Sequence, residues 1–398
     1  MRVLMSSWAW PSHYLPLVPL GWALQAAGHE VRVASQPGLA RVITDSGLVA
    51  VPVGPDLEHA EVRRRAMDGL RLTAVPAAPP PGASMRGWRP AERERVRRVF
   101  GVFTAYSEAM LDDLFAFARS WRPDLIVYDP TTYAAPIVAA ALGVPAVRHI
   151  HGVDVTYQGR DVVPGLIAPM LDRLGVGEVD VIGDSTVDPC PPSIQTPTQG
   201  HRMPVRYVPY NGPAVLPEWL RERPPHPRVC VTWGTSTTRI GGPETFVPPK
   251  VVDAVRDLDV ELVVTLRSED AQRIHDVPPR VRVVDSVPLH LLLPTCDVLV
   301  HQGGNGTLLT AALFGVPQLA LPQLPDQRFH VDRLVTGGSA VALRPDETDA
   351  PALRAALEEL LTRPAYRAGA RRLRTEMLAM PTPAQVAADL STVDLRPR

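Results

Sequence analysis

The stretch RVLMSSWAWPSHYLPLVPLGWALQAAGHEVRVAS, residues 2–35, decides the reading of the fold. Residues 2–6 form an apolar run that reads as a buried first strand. A loop follows through Trp8, Pro11 and His13. Leu17, Leu20, Leu24 and Ala27 then recur at helical spacing, and Gly28 stands where a left-handed residue closes a helix. Residues 30–35 read as the next strand. Strand, loop, helix and strand in this order open a doubly wound parallel sheet.

Working outward, the same unit recurs. Residues 124–128 read as a strand, 132–142 as a helix ended by Gly143, and 144–149 as the following strand. Residues 74–87 hold Pro79, Pro80, Pro81 and Gly82 and read as a mobile loop, with a helix over 90–119 behind it. Residues 152–200 lack regular periodicity, and the proline-rich segment 213–227 reads as a linker. The alternation then restarts, with strands at 228–233, 261–266, 296–301 and 316–321. Helices are expected at 250–258 and 305–314, the latter stopped by Gly315, and a loop at 234–242. The prediction is α/β, with two domains in tandem.

Composition sets the outer bounds. A chain of 398 residues holds two or three domains at ~100–200 residues each. The net charge of −1 offers nothing to a nucleic acid or an anionic membrane. Cys190, Cys230 and Cys296 show no metal-ligand or disulfide spacing. The apolar run before Ser6 is too short for a signal peptide, and no window reaches ~18 apolar residues. These features fit a cytoplasmic protein without a membrane span.

The chemistry concentrates in the second half. His301-Gln302-Gly303-Gly304-Asn305-Gly306-Thr307 joins a strand to a helix. Glycines let a bulky anion approach the backbone, and a helix N-terminus supplies free N–H groups and a positive dipole end. The turn suits a diphosphate; a tight turn needing glycine only for packing explains the spacing equally well. Trp233-Gly234-Thr235-Ser236 ends a second strand and can face the same anion. Asp326-Gln327, after another strand, can bond sugar hydroxyls, although such a pair is more often a solvated turn.

These motifs are specific together. The run 301–307, Gly315-Val316-Pro317-Gln318-Leu319 and Asp326-Gln327 resemble the nucleotide-sugar signature of family 1 glycosyltransferases of the GT-B fold. Val287-Pro288-Leu289, with the later Pro294-Thr295-Cys296, resembles the segment before it. His13, Val18-Pro19-Leu20, the run 26–31, Asp188-Pro189-Cys190-Pro191-Pro192 and the run 207–212 resemble bacterial members that decorate macrolides and other polyketides. The resemblance implies two Rossmann-like domains whose parallel sheets face a central cleft. Residues 1–212 would bind the acceptor and 228–379 the nucleotide sugar, joined by the linker 213–227. Residues 380–398 would form a helix packing back on the first domain.

Carried over position by position, the resemblance makes His13 the general base and Asp129 the carboxylate that orients it. Thr235, Ser236, His301, Gly303, Gly304, Asn305, Gly306 and Thr307 match pyrophosphate contacts. Val287 lies at the nucleobase, and Asp326 and Gln327 at the donor sugar. From their place near strand ends, Trp8, Trp10, Tyr14 and Tyr133 suggest an apolar acceptor pocket and His149 and His151 its side, although such residues are more often core or structural. From position alone, His13 and Asp129 also fit polar residues at helix starts. Asn305, Ser286 and the run 329–332 depart from the family pattern.

The expected reaction is transfer of a deoxysugar from a dTDP-sugar to a hydroxyl of a polyketide or macrolide-like acceptor, with inversion. The nucleotide sugar is a substrate; no cofactor and no metal are expected. A homodimer is left open and an activator protein is not expected. The alternatives are a non-catalytic nucleotide-sugar-binding helper, a UDP-sugar-dependent glycosyltransferase and a sugar-phosphate epimerase of the same fold.

Overall fold

The structure is a computed structural model and describes residues 1–67, 88–198, 200–222 and 224–392. The expected mobile loop at 74–87 lies outside the described residues. The chain divides into two compact units. The first comprises Met1–Cys190, Thr196–Gly212 and Met380–Arg398; the second comprises Pro191–Gln195 and Pro213–Ala379.

The first unit is built on a seven-stranded sheet. Its strands are β1 (Arg2–Ser6), β2 (Glu30–Ser35), β3 (Val49–Pro52), β4 (Leu125–Tyr128), β5 (Ala146–His149), β6 (Ser185–Asp188) and β7 (Arg202–Pro204). They lie in the order β3-β2-β1-β4-β5-β6-β7, and every pairing is parallel. Strands β4 and β5 are buried along their whole length, as a parallel sheet covered on both faces requires. The helix of the opening unit runs Val18–Ala26, and Gly28 follows it at φ 85°.

The core of this unit gathers Val3, Met5, Leu17, Leu24, Val33, Val127 and Val147. Val386, Ala387 and Leu390 of the C-terminal helix Pro383–Thr392 join the same core, against helix Val18–Ala26. Full burial of such a Val or Leu side chain contributes about 1.5–3 kcal/mol.

The second unit repeats the plan with six parallel strands: β8 (Arg228–Thr232), β9 (Glu261–Leu266), β10 (Val281–Asp285), β11 (Val298–His301), β12 (Gln318–Ala320) and β13 (Ala340–Ala342). Their order is β10-β9-β8-β11-β12-β13. Leu220, within the segment read as a linker, packs into this unit's core with Cys230, Leu292 and Leu299.

Both sheets reverse direction of growth once, between β1 and β4 and between β8 and β11. Such switch points open a crevice at the strands' carboxyl ends, where α/β proteins bind ligands.

Of the strands among the described residues, β3, β6, β7, β10 and β13 were not expected from the sequence. The aperiodic stretch 152–200 contains the helix Val163–Leu174, with Pro164 in its first turn and Pro169 inside, and the strand β6. The loop expected over 234–242 holds the short helix Thr237–Gly241.

Candidate active site

At the first switch point three loops leave adjacent strand ends. Strand β1 ends at Ser6, β4 at Tyr128 and β5 at His149; Ser6 pairs with Tyr128, and Tyr128 with Arg148. The Asp129 amide continues the ladder by donating to the Ser6 carbonyl at 3.0 Å. After Ser6 the chain turns into the short helix Pro11–Tyr14, started by proline, and this turn carries His13.

His13 Nδ1 lies 2.7 Å from Asp129 Oδ1, with the imidazole 17% exposed and the carboxylate fully buried. The hydroxyls of Thr131 and Thr132 donate to Asp129 Oδ2 at 2.9 and 2.8 Å. His151 Nε2 stands 3.3 Å from Oδ1. Burial pushes the Asp129 carboxyl up, but the charge and hydrogen bond of His13, joined by His151, hold it below the usual carboxylate range. An ionised carboxylate only accepts, so His13 donates through Nδ1 and its neutral ring carries the lone pair on Nε2. The Trp8 indole N–H, within reach of both Thr131 and His13, goes to Thr131 Oγ1 at 3.0 Å, because His13 Nδ1 already bears a proton.

One side-chain nitrogen or oxygen from each of His13, Asp129 and His151 lies within 4.8 Å of the other two. The 2.7 Å between Nδ1 and Oδ1 is the spacing of a charge-assisted hydrogen bond. The arrangement is that of two imidazoles on one buried carboxylate.

An aromatic wall adjoins the pair. The Trp8 ring lies 4.8 Å from His13 and 5.2 Å from Trp10, stacked on the latter. Phe103 reaches within 6.0 Å of His13, Tyr106 within 4.5 Å of Trp8, and His59 within 4.6 Å of Trp10. Phe103 and Tyr106 are three residues apart on the helix Pro90–Trp121 and so share a face. Sequence reasoning missed Phe103, Tyr106, His59, Thr131 and Thr132.

Three expected acceptor-lining residues are instead core. Tyr14 is fully buried, with its hydroxyl on Ser46 Oγ at 2.6 Å. Tyr133 and His149 are 2% exposed, and burial pushes the His149 imidazole down to about 4. Trp8, Trp10 and His151 stand around His13 as described.

The second switch point holds the glycine-rich turn. Strand β11 ends at His301, Gly303 turns at φ 94°, and Gly304 caps the helix Asn305–Phe314. A Cβ at Gly303 would sit 2.7 Å from Val331 Cγ2 on a backbone that disfavours side chains, so only glycine fits. Strand β8 ends beside it, and Gly234 turns at φ 64°. Gln302, 5% exposed, packs its amide nitrogen against Gly234, 2.5 Å from where a Cβ there would sit. Thr235 is exposed, and Ser236, Gly304, Asn305, Gly306 and Thr307 are half-buried.

Two departures from the family pattern meet here. His330 Nδ1–H donates to the Gly303 carbonyl at 3.2 Å, which leaves Nε2 to accept from Asn305 Nδ2 at 3.3 Å. Asn305 and His330 form one support for the turn.

His301 and Gln327 stand in settings that the sequence did not show. The His301 ring is wholly buried and its Nδ1 accepts the Gly303 N–H at 3.0 Å. Burial pushes this imidazole down to about 4, so near neutral pH it is uncharged and braces the turn from within through Nδ1. Gln327 is buried too. Its Oε1 accepts from the amides of Gln323 and Leu324 at 3.0 and 3.1 Å, and its Nε2 donates to Thr237 Oγ1 at 2.9 Å. The amide expected on a sugar is committed to the start of the helix Pro325–Thr336, whereas Asp326 is exposed. Val287, half-buried, accepts through its carbonyl from Thr265 Oγ1 at 3.3 Å, next to Ser286 at φ 46°.

Comparison with known proteins follows the same outline. Residues 22–234 match the N-terminal domain of the erythromycin biosynthesis protein CIII-like family, and residues 249–393 match its C-terminal domain. The chain is 38% identical to 10-deoxymethynolide desosaminyltransferase of Streptomyces venezuelae, over 98% of this chain and 96% of that one. It is 36% identical to 3-alpha-mycarosylerythronolide B desosaminyl transferase of Saccharopolyspora erythraea, over 97% and 96%. The spinosyn rhamnosyltransferase, solved alone and with thymidine diphosphate or spinosyn aglycone, superposes with a TM-score of 0.82. It is 30% identical, over 98% of this chain and 100% of that chain.

Proposed function

The chain belongs to the erythromycin biosynthesis protein CIII-like family of antibiotic glycosyltransferases with the GT-B fold, and from that premise we propose that it moves a deoxysugar from a dTDP-sugar to a hydroxyl of a polyketide or macrolide-like acceptor, with inversion. The observation that carries the reading is the 2.7 Å His13–Asp129 pair at the first switch point. An acceptor hydroxyl has a pKa far above 7 and needs a base as it attacks. His13 Nε2 takes that proton while the oxygen bonds the anomeric carbon. The bond from that carbon to the diphosphate breaks on the opposite face, which inverts the centre. Asp129 steadies the imidazolium that results. The aromatic wall suits an apolar acceptor.

The donor side rests on the Gly303 turn and the relatives. Competition titration with the purified chain is expected to favour dTDP over UDP, in keeping with the thymidine diphosphate bound by the spinosyn rhamnosyltransferase. A clear advantage for UDP would reverse the base assignment. Release of dTDP when a dTDP-deoxysugar and a macrolide aglycone are mixed tests the transfer itself, and its absence across a panel of both would favour a binding role.

Catalysis is expected to need no divalent metal. Charge developing on the diphosphate meets the N–H groups of residues 304–307 and the hydroxyls of Thr235, Ser236 and Thr307. Preorganised donors of this kind are worth ~2.7–4 kcal/mol each, by analogy with oxyanion holes. Turnover in excess EDTA should equal that without it; a loss that Mg²⁺ restores would overturn this account.

A further inference from the structure

Asp129 serves two imidazoles. Its Oδ1 takes the His13 Nδ1–H at 2.7 Å, and His151 Nε2 stands 3.3 Å from the same oxygen. The two rings meet edge to face, with centroids 4.8 Å apart and planes at 73°. Both are about one-sixth exposed, whereas the carboxylate between them is fully buried. His151 stands two residues past the end of β5 and His13 in the loop after β1, so two strand ends bring them to the one carboxylate after β4.

We propose that His151 is a positioning residue for the transfer reaction: it donates Nε2–H to Asp129 Oδ1, holds the His13 ring edge-on, and moderates the pull of the carboxylate on His13. This rests on the reading of His13 as the base. A hydrogen bond to a carboxylate spreads its charge, so each donor that Oδ1 accepts weakens the stabilisation left for an imidazolium on the same oxygen. Without the His151 donor, Oδ1 answers to His13 and more weakly to Thr131 Oγ1 at 3.2 Å. The carboxylate then acts on His13 with less of its charge shared. Burial keeps His151 itself towards the neutral form against the pull of Asp129, so it adds no second positive charge beside His13.

The other groups around the pair act at longer range. On the β5 side these are His149, Asp154 and its partner Arg148, with Tyr133 beyond Asp129. On the other side, His59 and Tyr106 pack on Trp8, whose ring adjoins His13.

The test is the pH profile of kcat/KM, whose acid limb reports the essential base of the free enzyme. In His151→Phe the limb is expected to move up by about half to one pH unit, the scale of losing one hydrogen bond to a charged group. Turnover should fall at low pH and approach wild type at high pH. His151→Gln keeps an N–H donor and should bring the limb back. A limb unmoved in His151→Phe, or moved alike in both variants, overturns the proposal, since a role in packing alone lowers activity at every pH. The ¹⁵N imidazole spectrum of the wild-type protein gives an independent check should a variant fail to fold. A neutral His151 protonated on Nε2 is expected at pH 7; a ring protonated on Nδ1 alone, or a charged one, overturns the proposal. Failure of the His13 reading would show separately, as a wild-type profile with no acid limb or one that survives in His13→Ala.

Discussion

Replacing His13 by alanine is expected to lower turnover at least ~100-fold, the scale of losing general-base catalysis. The ring is 17% exposed and makes its close polar contacts at Nδ1, with Asp129, Thr131 and Trp8. Its removal takes away the lone pair on Nε2 together with the ring's contacts to Trp8, Phe103 and His151. Nucleotide affinity should stay within a few-fold of wild type, because the candidate anion turn belongs to the other compact unit. Single-turnover rates and dTDP titration on the same preparation separate the two effects. Turnover within tenfold of wild type would sink the assignment, and a matching loss of dTDP affinity would show that the substitution acts through the fold.

The place of His13 was legible because the run 2–35 has unmixed signals: an apolar strand, a helical repeat closed by Gly28 and a second strand. A loop after the first strand of such a sheet lies at a carboxyl edge whatever the rest of the chain does. Asp129 was legible for the same reason. The surroundings of the pair were not, since Phe103 and His59 arrive from helices distant in sequence and Thr131 and Thr132 read as ordinary turn residues. Strand β6 escaped because its sequence, Ser-Thr-Val-Asp, is polar yet buried. Arg148 donates to Thr186 and pairs with Asp154, and Arg202 joins Asp154 to Asp188, so the strand's polar groups are satisfied inside the sheet. No alternation of apolar and polar residues reports burial of that kind. The helix Val163–Leu174 was hidden by its two prolines.

Gln327 shows a signal that was present and misread. It follows Pro325 and Asp326 at the start of a helix, and glutamine three residues after a cap is the mark of a side chain that reaches back to the first amides. His301 was expected at an anion because its neighbours in sequence are glycines that open a helix. A histidine that ends a buried strand points into the sheet's covering layer, and its 0% exposure follows from that place. At Gly303 neither the backbone angle nor Val331 leaves room for a side chain, which is the packing reason that the spacing alone also allowed.

The substitution Asp129→Asn is expected to lower turnover by about 10²–10⁴, by analogy with the loss of the orienting carboxylate in a catalytic triad, while leaving the protein folded. Asparagine has nearly the volume of aspartate, and the hydroxyls of Thr131 and Thr132 rotate to accept from an amide as readily as they donate to a carboxylate. The loss is electrostatic and tautomeric. An amide carries no charge to balance the imidazolium formed when His13 accepts the acceptor's proton. If its NH₂ faces His13, it also forces Nδ1 to accept, puts the ring proton on Nε2 and removes the lone pair that does the work. His151 meets the same change at its Nε2, 3.3 Å from Oδ1. Turnover measured beside thermal melting separates this from unfolding. A melting temperature near wild type with turnover down by at least 10² is the expected pair of results, and a folded variant within tenfold of wild type would show that the 2.7 Å contact does not power the base. Raising the pH should recover little of the loss, because an asparagine that selects the wrong tautomer does so at every pH. Recovery at high pH would assign the effect to the missing charge alone.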